Sequence, residues 1–162
     1  MNLRLSDLVP PVVLRPAIGQ DAPRLARLWR EAWRSANPGV LTVAPLSHWE
    51  DRVRSEFGPP CTALLVERAD ESLLGFMVLH MAHSHLHQLF VAPGAQSQGL
   101  GGAMVQEICQ RLCPAGWTLH VATANLRARR FYARCGLIEG AVSVHPTSGR
   151  ERVVCSWRSV VP

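Results

Sequence analysis

The sequence predicts a mixed α/β domain whose elements follow the order β-α-α-β-β-β-α-β-α-β-β. Three observations support that class. Short apolar, β-branched blocks alternate along the chain with stretches whose apolar residues return at helical spacing. The segment VAPGAQSQGLGGAM, Val91 to Met104, places four glycines between one such block and one such stretch. The composition, 48% apolar and 18% charged, suits a packed core and not a disordered chain. At 162 residues the chain fits a single domain over 1–162, with residues 1–11 expected as a loose N-terminal tail.

Val12 to Arg15 is a short apolar run that stops at Pro16, and it predicts the first strand. From Asp21 the period changes. Leu25, Leu28, Trp29, Ala32 and Trp33 fall on one helical face, with Asp21 as the cap and Pro23 in the first turn, where a missing N–H is harmless. SANPGVLTVAP interrupts the pattern, and LSHWEDRVRSEF predicts a second helix capped by Ser47. TALLVER and LLGFMVLHMA read as strands joined by a turn at ADES, and HLHQLFVAP as a third that runs into the glycine segment. Beyond it, Met104, Val105, Ile108, Cys109 and Leu112 form a helical stripe ended by Pro114 and Gly116. WTLHVAT is the next strand. NLRARRFYARCG is a helix with Asn125 at its start and Gly136 just past its end, and LIEGAVSVHP and RERVVCSWRS close the chain as a hairpin around TSG.

Composition excludes several classes. No run of 18 apolar residues exists, and MNLRLSDLVPPVVLRP is broken by Asp7, three prolines and Arg15, so neither a membrane span nor a signal peptide is predicted and a cytoplasmic protein is expected. Cys61, Cys109, Cys113, Cys135 and Cys155 are odd in number and lack C-x-x-C spacing; free thiols are expected in place of disulfides or a zinc knuckle. The net charge of +5 is carried by arginine, because the sequence holds no lysine. Arginine suits bidentate phosphate recognition. A nucleic-acid partner is not expected, since the positive charge comes without a recognition motif or a base-stacking aromatic cluster.

The glycine segment raises the chemical question. Glycine loses more conformational freedom on folding than any other residue, so four of them before a helix need a compensating reason. Close approach of a phosphate to the exposed N–H groups of a helix N-terminus is the first hypothesis. A nucleotide-triphosphate loop requires G-x-x-x-x-G-K-[ST] and this chain has no lysine; a dinucleotide fingerprint requires G-x-G-x-x-G at the first strand–helix junction. The pattern present is a strand, then Val91-Ala92-Pro93, then Gln96-Ser97-Gln98-Gly99-Leu100-Gly101 leading into a helix. It resembles the Q/R-x-x-G-x-G/A motif of the GNAT superfamily of N-acetyltransferases. LHVATANLRARRFYARCGLIEG is similar to the second motif of that superfamily, with Asn125, Ala128, Phe131, Tyr132, Gly136 and Leu137 in matching positions, and LLGFMVL resembles the strand before the cofactor strand. The matched segment runs from about Leu73 to Gly140.

The resemblance implies a GNAT-like fold, a central mixed, mostly antiparallel sheet flanked by about four helices. It also implies acetyl-coenzyme A as the acyl-donor cosubstrate, with no metal required. The thioester and pantetheine would lie along Leu89, Phe90 and Val91. The loop from Gln96 through Ser97, Gln98, Gly99, Leu100, Gly101 and Gly102 would hold the pyrophosphate, with Asn125 and Arg130 contributing to cofactor binding. Arg127, Arg129 and Arg134 are further candidates for the coenzyme phosphates. Amine acetylation needs an uncharged nucleophile, a polarised thioester and a proton for the departing thiolate. Tyr132, the one tyrosine of the chain, stands where the superfamily places its general acid, and a phenol near pKa 10 is protonated at neutral pH.

A base is sought in HMAHSHLHQLF, where period-2 geometry puts His83, His85 and His87 on one strand face, and where no carboxylate occurs between Glu71 and Glu107. HLH is also similar to the paired histidines of arylalkylamine N-acetyltransferases, which makes His85 and His87 the candidate bases. Trp29, Trp33 and Trp49 are candidates for an aromatic-amine pocket, although the first two share a stripe with leucines and packing in the core is the expected role. SANPGVLTVAP is the candidate acceptor lid. The reading is acetyl transfer to a primary amine of a small molecule by direct attack, with a peptide or protein amine acceptor, or a non-catalytic acyl-coenzyme A sensor, as alternatives. A homodimer is compatible with the exposed strands the pattern predicts.

Overall fold

A computed structural model describes residues 3–159, and the predicted element order is found there. The strands are β1 (Val12–Pro16), β2 (Thr62–Arg68), β3 (Leu73–His80), β4 (His85–Val91), β5 (Gly116–Ala122), β6 (Ile138–Val144) and β7 (Glu151–Arg158). They make one seven-stranded sheet in the order β1-β2-β3-β4-β5-β7-β6. Every neighbouring pair is antiparallel except β4 and β5. The helices are α1 (Ala22–Ala36), α2 (Leu46–Glu56), α3 (Leu100–Glu107), continued by a π-helical turn over Ile108–Leu112, and α4 (Leu126–Arg134).

Alternation along the strands sends side chains to two cores, one on each face of the sheet. On one face Leu25, Trp29, Trp49 and Val53 of α1 and α2 pack on Leu65, Phe76 and Val78. Trp29 sits edge-on to Trp49 with ring centroids 5.0 Å apart. Trp29 is therefore a core residue, as the stripe implied; Trp49, which lies on no such stripe, is buried beside it, and Trp33 packs at the margin of the same cluster. On the other face Met104, Val105 and Ile108 of the α3 stripe meet Val66, Met77, Leu79 and Leu119. The five cysteines are free thiols. β6, by contrast, is exposed at every residue. Among the described residues no helix is long and apolar enough to cross a membrane.

Two capping expectations are corrected. Asp21 accepts no backbone hydrogen bond from the first turn of α1; its carboxylate is held by Arg15 at 2.8 and 2.9 Å and by the Ile18 N–H, with the Arg24 guanidinium at 3.4 Å. A buried carboxylate beside a guanidinium gains more from that pair than from a cap. Burying Asp21 and Glu67 around Arg15 ties β1 and β2 to the start of α1. α2 begins at Leu46 behind Pro45, so Ser47 lies inside the helix and makes no cap. Asn125 does cap α4, its side-chain oxygen accepting from the Ala128 N–H at 3.1 Å. At the other end Gly136, at φ +87°, allows the Gly136 N–H to reach Ala133 O and the Leu137 N–H to reach Tyr132 O, a Schellman closure. The segment expected as a loose tail is anchored in its described part. Leu5 is buried against the α3 core in a short 3-10 turn, and Leu8 packs beside it.

Candidate active site

The site arises where the sheet comes apart. β4 and β5 are paired only at His85–Thr118 and Leu86–Leu119. Beyond Leu86 the edge of β4 that faces β5 has no ladder partner, and its backbone groups need other partners. Along its other edge β4 stays paired to β3 as far as Val91, but the register skips His87, which sits in a bulge. Bulges re-aim side chains next to functional sites.

A cleft of about 540 Å³ opens into this split. Its walls include Leu89, Phe90 and Val91 of β4, Gln96, Ser97, Gly99, Leu100, Gly101 and Gly102 of the glycine loop, and Asn125, Phe131 and Tyr132 around α4. The local sequence explains the shape. Gly99 precedes α3 at φ +81°, a left-handed conformation in which side chains are strained. A Cβ on Gly101 would stand 3.3 Å from the Phe131 ring, so glycine lets α3 approach α4 across the cleft. Gly102 also lines the cleft, and a Cβ there would meet open space. Arg127 and Arg134 also line it, and neither has a carboxylate partner among the described residues. Arg127 instead donates to the Gln96 side-chain oxygen at 3.1 Å, joining α4 to the loop.

Unpaired strand backbone at one end, bare helix N-terminal backbone at the other and arginines at the rim fit an acyl-coenzyme A: amides for the pantetheine, N–H groups and cations for the pyrophosphate. Some predicted residues fall outside this arrangement. Gln98 is turned back, its amide donating to Gly94 O, and does not line the cleft. Arg130 is exposed on α4 and does not line it either; with 3.6 residues per turn, the cleft face of the helix carries 127, 131 and 134. Arg129 is committed to Glu139 in a bidentate pair at 2.7 and 2.8 Å.

Tyr132 is buried, lines the cleft, and makes no hydrogen bond through its hydroxyl among the described residues. Burial, with Cys135 and Cys155 adding to it, raises the phenol above its usual range, so it stays protonated at any ordinary pH.

A second depression of about 370 Å³ lies against the same split and is lined from α2, β4, β5 and the β6–β7 hairpin. The two concavities share His87, Gln88, His120 and Ala122. His85 lines only the second, and its Nδ1 is 2.7 Å from Thr118 Oγ1. Burial first, then the neighbouring His87 and His120, lower it to about 4. His83 belongs to a 3-10 turn before β4, because the strand starts only at His85, so the expected three-histidine face is reduced to two. His87 is lowered by burial and by His80, against a raising effect of Glu56. His120 of β5 is lowered by burial, Arg152, His145 and His87. Sequence reasoning used its segment only as a strand and missed it. The signal was present: Thr118 and His120 alternate with the buried Leu119 and Val121. Among the described residues no three His, Cys, Asp or Glu side chains are grouped to hold a metal ion.

The model of the Acetyltransferase (GNAT) family matches residues 23–137. The solution structure of apo-form YjaB from Escherichia coli is similar with a TM-score of 0.71 at 22% identity, covering 90% of this chain and 96% of that one. The crystal structure of spermidine N-acetyltransferase from Vibrio cholerae in complex with CoA and spermine is similar with a TM-score of 0.64 at 18% identity, covering 91% and 95%. Among curated protein sequences no match is found.

Proposed function

We propose that this chain, which belongs to the GNAT acetyltransferase family and is an acetyl-coenzyme A-dependent N-acetyltransferase, acetylates the primary amine of a small molecule by direct attack on the thioester. The observation that carries the reading is the meeting of two concavities at the split between β4 and β5, where only His87, Gln88, His120 and Ala122 belong to both. A donor held on one side and an acceptor on the other meet there without either crossing the sheet. The complex of the similar Vibrio cholerae spermidine N-acetyltransferase with CoA and spermine supports a small amine as the class of acceptor.

When bound, acetyl-coenzyme A supplies an activated acyl carbon and a leaving thiolate. The chain does the rest. The open edge of β4 beyond Leu86 binds and orients the amides of the donor's arm, while the backbone around Gly99, Gly101 and Gly102, with Arg127 and Arg134, holds its phosphates. His87 or His120, both lowered and so neutral at pH 7, takes the proton of the incoming ammonium. The nitrogen–carbon bond would form as the carbon–sulfur bond breaks; the departing thiolate would take its proton from the Tyr132 hydroxyl, and the second proton of the amine nitrogen would return to the phenolate, leaving a neutral amide. His85 is less suited as the base, being far lowered and engaged with Thr118. Free thiol released from acetyl-coenzyme A on adding amines, with the acetylated amine identified by mass, tests the proposal. Tight binding of the donor without amine-dependent release would leave a sensor in its place.

A further inference from the structure

The second depression carries charge that nothing so far uses. Arg150 and Arg152 line it, and neither has a carboxylate partner among the described residues; Arg152 makes one hydrogen bond, Nε to Ser143 Oγ at 3.3 Å. Arg52, the third arginine there, is answered by Glu56 at 2.7 Å. Glu151, between those two arginines, is exposed and also lines the depression, but it forms no ion pair with either among the described residues. Arg152 is paired in register with Ala122, and His120 with Val154, so Arg152 and His120 share a face. Both His120 and His85 feel its positive charge. The loop that brings Arg150 in is ordered by His145, whose Nδ1 accepts the Thr147 and Ser148 N–H groups at 3.2 Å.

Resting on the acetyl-transfer reading, we propose that the acceptor is an amine that also bears an anionic group, a carboxylate or a phosphate, held by Arg150 and Arg152 while its nitrogen lies at the split beside His120. Paired guanidinium groups recognise such oxygens with two parallel N–H donors. An extended polycation of the polyamine kind meets the same two cations as a repulsion, so the chemistry here runs opposite to a polyamine site. The anion does more than anchor: by answering Arg152 it removes a charge that opposes protonation of His120.

The test compares matched acceptors in thiol release with the full-length protein: an amino-carboxylate, its carboxamide, the corresponding aminophosphonate, and spermidine. The wild-type protein is expected to favour one of the anionic acceptors over the carboxamide by about tenfold to a hundredfold in kcat/KM, the range of a charge-assisted hydrogen bond, and spermidine to be poorest. Which anionic acceptor leads separates carboxylate from phosphate. In R150Q/R152Q that preference is expected to disappear through KM, with coenzyme A affinity by calorimetry unchanged, and R150K/R152K to keep part of it. Turnover of the carboxamide or spermidine equal to that of the anionic acceptors, or an unchanged preference in the glutamine variant, overturns the inference and leaves acetyl transfer standing. No release with any amine overturns both.

Discussion

Replacing Tyr132 by phenylalanine separates a catalytic hydroxyl from a structural one, because the two roles predict opposite effects. The ring packs in the α3–α4 core and contacts Phe131 edge-on at 5.0 Å, and phenylalanine keeps all of that. The hydroxyl has no hydrogen-bond partner among the described residues, so no buried acceptor is orphaned by its loss. Stability should change by no more than about 0.5 kcal/mol, whereas removing a hydroxyl bonded inside the protein costs about 1–3 kcal/mol. As general acid the same hydroxyl contributes about 10²–10⁴ in rate, or about 3–5 kcal/mol of barrier. Single-turnover thiol release at saturating acetyl-coenzyme A reads the chemical step, thermal unfolding reads the fold, and calorimetry reads cofactor affinity. The expected outcome is a rate lower by at least about a hundredfold with the other two unchanged. Because burial raises the phenol, the wild-type rate should show no falling limb up to about pH 10. A phenylalanine variant with the wild-type single-turnover rate would refute the assignment.

Gly99→Glu should abolish coenzyme A binding in calorimetry. It forces a side chain at φ +81°, at about 1–2 kcal/mol of fold stability, and sets a carboxylate at the phosphate end of the cleft; undiminished affinity would remove that end from the site. The rate should rise with pH as His87 or His120 loses its proton, with a midpoint below the usual histidine value because both are lowered, and H87Q/H120Q should remove that limb while H85Q keeps it. Asp21 is depressed from 3.8 to about 2, chiefly by Arg15, so its contribution of about 2 kcal/mol is complete above the unfolded value and is lost as pH falls through about 2. Melting temperature should therefore drop between about pH 4 and pH 2, and D21N should be destabilised by about 2 kcal/mol at neutral pH, since Arg15 keeps Glu67.

The fold, and the gathering of β4, the glycine loop and α4 around one cleft, were legible because each depends on local pattern. A stripe such as Leu25, Leu28, Trp29 declares its helix and its buried face, and glycine before a helix declares a close approach. What stayed hidden depends on how distant segments meet. Asp21 was read as a cap because its only visible neighbours were the first turn of a helix; its partner Arg15 is set beside it by β1 pairing, which no local pattern displays. His83 was placed on a strand that does not begin until His85. His120 and Arg152 are far apart in sequence and share a face through the β5–β7 ladder alone, so the proposed acceptor side is readable only with the register.

Attack of an amine on an acyl thioester across the split between β4 and β5 can be read in one measurement that joins the two halves of that split. Acetyl-coenzyme A is mixed with the protein and a panel of small amines, and both free thiol and acetylated amine are quantified. The expected result is release that depends on the amine, with one acetylated amine formed per thiol, and that is abolished in Gly99→Glu. Thiol release that ignores the amine, or none at all from a protein that binds the cofactor, would contradict it.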